Sequence, residues 1–144
     1  MRVPFIKMHG LGNDFVVLDG RAQALPAIDT RLAAALADRH RGIGCDQLVL
    51  LQPSTAADFR MRIFNADGSE VEACGNATRA VGLMHGAPAR IETLAGVLAS
   101  APADGGIAVD MGVPSFDWDR IPLAYAMDTL AMPLAWDELE SPCA

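Results

Sequence analysis

A strand, a turn and a helix follow one another in the middle of the sequence, and this order limits the fold more than any other feature. Residues 58–64 alternate apolar and charged side chains, the pattern of a half-buried β-strand. The next segment, Asn65–Gly68, is typical of a turn. Between Ala77 and Met84 apolar residues recur at helical spacing, and Gly86 ends that helix. The sequence therefore predicts a helix that begins at Cys74.

A cysteine at the start of a helix has a specific chemical setting. The first-turn amides of a helix lack intrahelical partners and carry partial positive charge, which favours a thiolate at Cys74. The same amides, unobstructed at Gly75, are suited to hold a carboxylate or phosphate group. Most free cysteines, however, are simply small buried residues. Position alone leaves both interpretations of Cys74 open.

The other patterns predict a sheet around that helix. Strands are expected at residues 3–8, 14–19, 47–51, 89–95, 97–100 and 107–111, and a helix from Asp29 or Thr30 to about Arg39. The helix after Cys74 carries little charge, and Gly82 permits a close approach of a strand. We therefore expect an α+β fold in which a mostly antiparallel, curved β-sheet wraps around a central helix. Residues 1–118 would form this domain, and residues 119–144 a tail or connector without a clear pattern.

Three short segments carry the strongest functional signal. They are Lys7–Phe15 (KMHGLGNDF), Arg39–Gln47 (RHRGIGCDQ) and Asn65–Arg79 (NADGSEVEACGNATR). In this order they resemble the motifs of the diaminopimelate epimerase family. The resemblance implies that the predicted domain is one half of a pseudo-symmetric fold.

The resemblance also implies a reaction and a set of site residues. The family interconverts LL- and meso-diaminopimelate, precursors of lysine and peptidoglycan, without pyridoxal phosphate or another cofactor. Inversion requires a base on one face of the α-carbon and an acid on the other, and the family uses two cysteines for this purpose. Cys74 would be one of them. The residues expected to bind the amino-acid substrate are Asn13, Gln47, Asn65, Gly75 and Asn76.

The second catalytic cysteine of the family belongs to a C-terminal half, in a Cys-Gly motif preceded by a Glu-Arg pair. These 144 residues contain no such segment, and Cys143 lacks a following glycine. We therefore expect an N-terminal half that is inactive alone, with a homodimer as a further possibility. Two alternatives stay open: a related cofactor-free amino-acid isomerase of the same fold, and a non-catalytic ligand-binding half-domain.

Composition excludes several other classes of protein. A formal net charge of −7, with scattered Arg and Lys, argues against nucleic-acid binding. No apolar run is long enough to cross a bilayer, and the first residues lack a secretory pattern, so a cytoplasmic location is expected. Cys45, Cys74 and Cys143 are too widely spaced for a local metal or redox pair, and the histidines form no metal motif, so no metal site is expected. Cys45 is expected to serve packing.

Overall fold

A computed structural model describes residues 2–133 of the chain. It divides into two compact units, the first ending at Met111 and the second beginning at Gly112. The second unit contains a short 3-10 helix, Trp118–Arg120, within its described part. Cys143 and the rest of residues 134–144 lie outside the described residues. The expected domain limit at residue 118 stays a prediction.

Strands and two helices make up the described part of the first unit. The strands are β1 (Ile6–Gly10), β2 (Asn13–Asp19), β3 (Gln47–Gln52), β4 (Phe59–Asn65), β5 (Glu70–Val71), β6 (Ala89–Thr93), β7 (Gly96–Ala103) and β8 (Gly106–Asp110). The helices are α1 (Thr30–Ala37) and α2 (Gly75–His85). In residues 2–133 no helix is long and apolar enough to span a membrane.

The strands form one curled sheet around α2. Its order is β1-β2-β3-β4-β6-β7-β8, with β5 added to β4. Helix α2 packs against β1 and β8, which stand at opposite ends of this order, so the sheet must curve around the helix. The β2–β3 and β4–β6 pairs are parallel and the other pairs antiparallel. The expected mostly antiparallel curved sheet around a central helix is confirmed.

Strands β2 and β3 are buried on both faces, which explains their continuous apolar sequences. One face packs with α2, and its cluster includes Phe15, Val17, Val49 and Leu51. The other face packs with α1, and its cluster includes Val16, Leu18, Leu48 and Leu50. Helix α1 connects β2 to β3, as a parallel pair requires a crossover.

Most element bounds agree with the sequence predictions to within a few residues. Helix α1 ends at Ala37 rather than near Arg39, because Asp38 leaves the helical conformation and its side chain accepts the amides of His40 and Arg41. The two-residue strand β5 was missed, because its length gives no readable alternation. Gly82 does allow close packing: a Cβ there would lie 2.9 Å from Cγ2 of Ile107 in β8.

Candidate active site

Cys74 is the N-cap of α2. Its backbone is extended (φ −147°, ψ 113°), and its Sγ accepts the amide N–H of Ala77 at 3.5 Å. The carbonyl of Cys74 accepts from the amide of Thr78 at 2.9 Å and from its hydroxyl at 2.8 Å. The predicted position of Cys74 at the helix start is confirmed. Its sulfur therefore lies where the unpaired amides of the first turn point.

Three strand ends meet beside this helix terminus. Gln47 at the start of β3 pairs in register with Phe15 of β2 and with Asn65 at the end of β4. Side chains two residues apart on a strand share a face, so Asn13, Gln47 and Asn65 lie on the face that packs against α2. The sheet register thus gathers these three amides at one edge.

The amide side chains make two groups of contacts. Asn13 Oδ1 lies 4.0 Å from Cys74 Sγ and 3.5 Å from Asn76 Nδ2. Gln47 Nε2 donates to Asn65 Oδ1 at 3.1 Å, and Asn65 Nδ2 donates to Ser69 Oγ at 3.1 Å. Gln47 Oε1 is buried and has no hydrogen-bond partner within the described part of the chain. A buried acceptor without a partner is costly, so this oxygen is suited to accept a ligand N–H.

A cavity of about 470 Å³ adjoins the start of α2. Its walls come from α2 and the β8 region. The lining residues are Cys74, Gly75, Asn76, Arg79, Ile107, Val109 and Met111. Its volume falls in the range of small-molecule sites.

Four charged residues near the starts of β2 and β3 form an ionic network that no sequence pattern predicted. Asp14 pairs with Lys7 (Nζ to Oδ2, 2.6 Å) and with Arg39 (Nη2 to Oδ1, 2.6 Å). Arg39 also pairs with Asp46 at 2.8 Å. The backbone amides of Asp14 and Asp46 each donate to the other's carboxylate at 2.9 Å. All four residues belong to the first two motifs, which was the only hint in the sequence that they act together. The β1–β2 hairpin and the parallel β2–β3 pairing bring them into contact.

This network has an electrostatic signature at Asp14. Hydrogen bonds from Arg39, and then from Lys7 and the Asp46 amide, hold the pKa of Asp14 well below its usual range, although burial acts in the opposite direction. A carboxyl with a depressed pKa stabilises the folded state above its unfolded pKa, and that contribution is lost as the pH falls through the folded value.

The Asp14→Asn variant is therefore expected to unfold more easily at neutral pH, by about 1 kcal/mol, since the pairs are accessible to solvent. The difference from the unmodified chain should shrink as the pH falls below 3.8, the ordinary carboxyl value, because Asp14 of the unfolded chain then takes up a proton while Asp14 of the folded chain stays ionised. Urea unfolding at several pH values measures this. Asp104→Asn, in the exposed β7–β8 turn, is the control. A difference independent of pH would contradict the expectation.

The fold is one found among solved epimerase structures. The chain is similar to the crystal structure of a hydroxyproline epimerase from Agrobacterium vitis, with a TM-score of 0.54 and 18% identity over 73% of this chain and 40% of that one. The family model of diaminopimelate epimerase matches residues 5–116. The chain belongs to the diaminopimelate epimerase family.

Curated relatives agree along the whole chain. Diaminopimelate epimerase of Erythrobacter litoralis is 68% identical over 144 residues, which are 100% of this chain and 54% of that protein. The enzyme of Rhizorhabdus wittichii is 66% identical over 144 residues, 100% of this chain and 53% of that protein. The chain therefore spans about half the length of these relatives.

Proposed function

We propose that this chain supplies one half of the active site of a diaminopimelate epimerase, which interconverts LL- and meso-diaminopimelate without a cofactor. Cys74 is the acid or base on one face of the α-carbon. The observation that carries this proposal is the position of Cys74 Sγ at the N-terminus of α2, beside a cavity of about 470 Å³. This geometry supports a thiol that exchanges a proton with a bound small molecule.

The first turn of α2 is suited to stabilise the reaction intermediate. Removal of the α-proton places negative charge on the α-carbon and its carboxylate. The amides of Gly75 and Asn76 belong to a helix start, where N–H groups lack intrahelical partners. Donors fixed in advance around a carboxylate stabilise that charge without reorganisation. Because Gly75 has no side chain, it does not itself block the approach of a ligand to these amides.

The amides of the strand ends are suited to orient a zwitterionic substrate. Gln47 Oε1 is a buried acceptor without a partner among residues 2–133, and Asn13 Oδ1 faces the Cys74 sulfur. Both oxygens match the N–H groups of a substrate ammonium. Asn65 fixes the Gln47 amide by accepting its Nε2–H. We assign Asn13, Gln47 and Asn65 to substrate binding on this basis.

The second acid or base must come from elsewhere. Cys45 is not suited to be this second group, because it is 1% exposed and belongs to the apolar cluster between the sheet and α1. This cluster lies on the opposite face of the sheet from Cys74. Burial also raises the pKa of the Cys45 thiol. Its expected packing role is confirmed by this burial. The opposing thiol would be supplied by a second half, as the family resemblance implies, or by another copy of the chain. The homodimer and the cytoplasmic location stay predictions.

Residues 1–144 alone are expected to give negligible inversion of LL-diaminopimelate in deuterated water. Residues 2–133 present one acid–base face, and Cys143 lacks the glycine of a Cys-Gly motif. Chiral chromatography with mass spectrometry measures both inversion and deuterium uptake. Inversion that Cys74→Ala abolishes, and that Cys45→Ala and Cys143→Ala both preserve, would contradict this expectation and indicate that two copies assemble one site.

A joined protein tests the proposal itself. In it, this chain replaces the matching 144 residues of the Erythrobacter litoralis relative, to which it is 68% identical. We expect inversion of diaminopimelate by the joined protein. A folded joined protein that binds diaminopimelate without exchanging its α-proton would instead support a non-catalytic half-domain, and inversion only of other amino acids would support a related isomerase.

A further inference from the structure

A chain of side-chain hydrogen bonds crosses the start of α2 and ends at the ionic network. Arg79 Nη2 donates to Asn76 Oδ1. Asn76 Nδ2 donates to Asn13 Oδ1 at 3.5 Å, and Asn13 Nδ2 donates to Asp46 Oδ2 at 3.3 Å. The chain therefore begins at a guanidinium and ends at a carboxylate.

The two charged ends allow only one orientation of the amides between them. A guanidinium is only a donor, so Asn76 must turn its Oδ1 toward Arg79 and its Nδ2 toward Asn13. A carboxylate is only an acceptor, so Asn13 must turn its Nδ2 toward Asp46. Both requirements are met when Asn13 Oδ1 faces Asn76. The same oxygen then lies 4.0 Å from Cys74 Sγ.

Each anchor is itself held in place. Asp46 accepts from Arg39 at 2.8 Å and from the backbone amide of Asp14 at 2.9 Å. Arg79 projects from α2, one turn after Asn76, and lines the cavity that contains Cys74. Hydrogen bonds to charged groups are stronger than those between neutral groups, so the ends of the chain control its middle.

We propose that Asp46 and Arg79 are positioning residues, the two anchors of an amide relay that presents the Asn13 carbonyl oxygen to the Cys74 sulfur. This inference deepens the proposed function and rests on it for its catalytic meaning. An oxygen acceptor beside the sulfur favours the protonated thiol, whereas the Ala77 amide favours the thiolate. The relay therefore determines whether the Cys74 sulfur faces an oxygen acceptor.

The rate of alkylation of Cys74 by iodoacetamide tests the relay without requiring turnover. Mass spectrometry of the labelled peptides separates Cys74 from the other cysteines. Rates at a fixed neutral pH are compared for the 144-residue chain, Asp46→Asn, Arg79→Gln and the double variant. Thermal unfolding by circular dichroism checks that each variant is folded.

The double variant is expected to react at least about threefold faster than the product of the two single effects predicts. Either anchor alone still holds the Asn13 amide in its orientation. When both anchors are lost, the Asn13 amide can move away from the Cys74 sulfur, or it can turn so that its Nδ2–H faces the sulfur. Both movements favour the reactive thiolate. A second double-mutant cycle serves as the control. It combines Arg79→Gln with Lys7→Met instead of Asp46→Asn, because Lys7 makes its hydrogen bonds to Asp14 and Gly44 and not to Asn13. The control cycle should be multiplicative.

The relay would be overturned if the effects of Asp46→Asn and Arg79→Gln on the alkylation rate simply multiplied. It would also be overturned if Lys7→Met and Arg79→Gln showed the same coupling. Asn13→Ala provides a second test if an anchor variant unfolds. It should raise the alkylation rate by itself, since it removes the oxygen from the sulfur, and an unchanged rate would also overturn the relay. An inactive joined protein with the coupling intact would refute the proposed function alone.

Discussion

Replacing Cys74 with alanine is expected to lower the rate of diaminopimelate inversion in the joined protein by about 10²- to 10⁴-fold, the usual contribution of a positioned acid or base. In the proposed mechanism the thiol is one of two groups that act on opposite faces of the α-carbon, so its removal would stop transfer in both directions. Chiral chromatography of the product over time measures the loss.

Two variants make the Cys74 result specific. Cys45→Ala removes a thiol that is buried in the α1 cluster and should leave the rate within a few-fold of the unmodified protein. Cys74→Ser replaces the N-cap sulfur with an oxygen acceptor, which preserves the stability of α2, but its hydroxyl is a much weaker acid than the thiol. If Cys74→Ser or Cys74→Ala retained the full rate, the role assigned to Cys74 would be wrong.

Replacing Gly68 with alanine is expected to destabilise the chain by about 3 kcal/mol or more, the combined cost of a left-handed backbone and overpacking. Gly68 has φ +84°, and a Cβ there would lie 2.0 Å from the carbonyl oxygen of Thr30 at the start of α1. The amide of Gly68 also closes the turn by donating to Asn65 O at 2.9 Å. Movement of this turn would displace Asn65 from Gln47, so substrate binding should weaken along with stability.

The Gly105→Ala variant separates the two causes. Gly105 also has a positive φ, +79°, but a Cβ there would have no atom within 4 Å. Its cost should therefore be only the backbone strain, about 1–2 kcal/mol. Urea unfolding of both variants measures the difference. Equal losses for Gly68→Ala and Gly105→Ala would show that the contact with Thr30 does not matter.

The fold was largely predictable because its elements have clear local patterns. The alternation before Asn65 marked β4, and the glycine at position 86 marked the end of α2, where the backbone is left-handed with φ +74°. The parallel pairing of β2 with β3 and of β4 with β6 was not foreseen. Pairing between distant strands depends on packing that no local pattern records, and the apolar run Gln47–Leu51 fits either direction.

The position of Cys74 at the start of a helix was predictable from the sequence, whereas the contacts between the side chains around it were not. The helical spacing of apolar residues between Ala77 and Met84 predicted a helix that begins at Cys74, and the structure confirms that position. The contact of Gln47 with Asn65 follows from the β3–β4 register, which the sequence does not state. The roles of Arg79 and Asp46 were missed because a charged side chain in a motif is usually solvated. Only the observed amide chain shows what these two charges hold.

The fate of the substrate α-hydrogen in the joined protein tests the central claim most directly. LL-diaminopimelate is incubated in deuterated water, and both stereoisomers are analysed at low conversion. A thiol holds a single proton, so Cys74 or its partner would return the original hydrogen to the substrate, while the opposite thiol adds deuterium to the product. The account predicts labelled meso product and unlabelled remaining substrate. Rapid deuterium uptake into the remaining substrate, or no inversion by a folded joined protein, would contradict it.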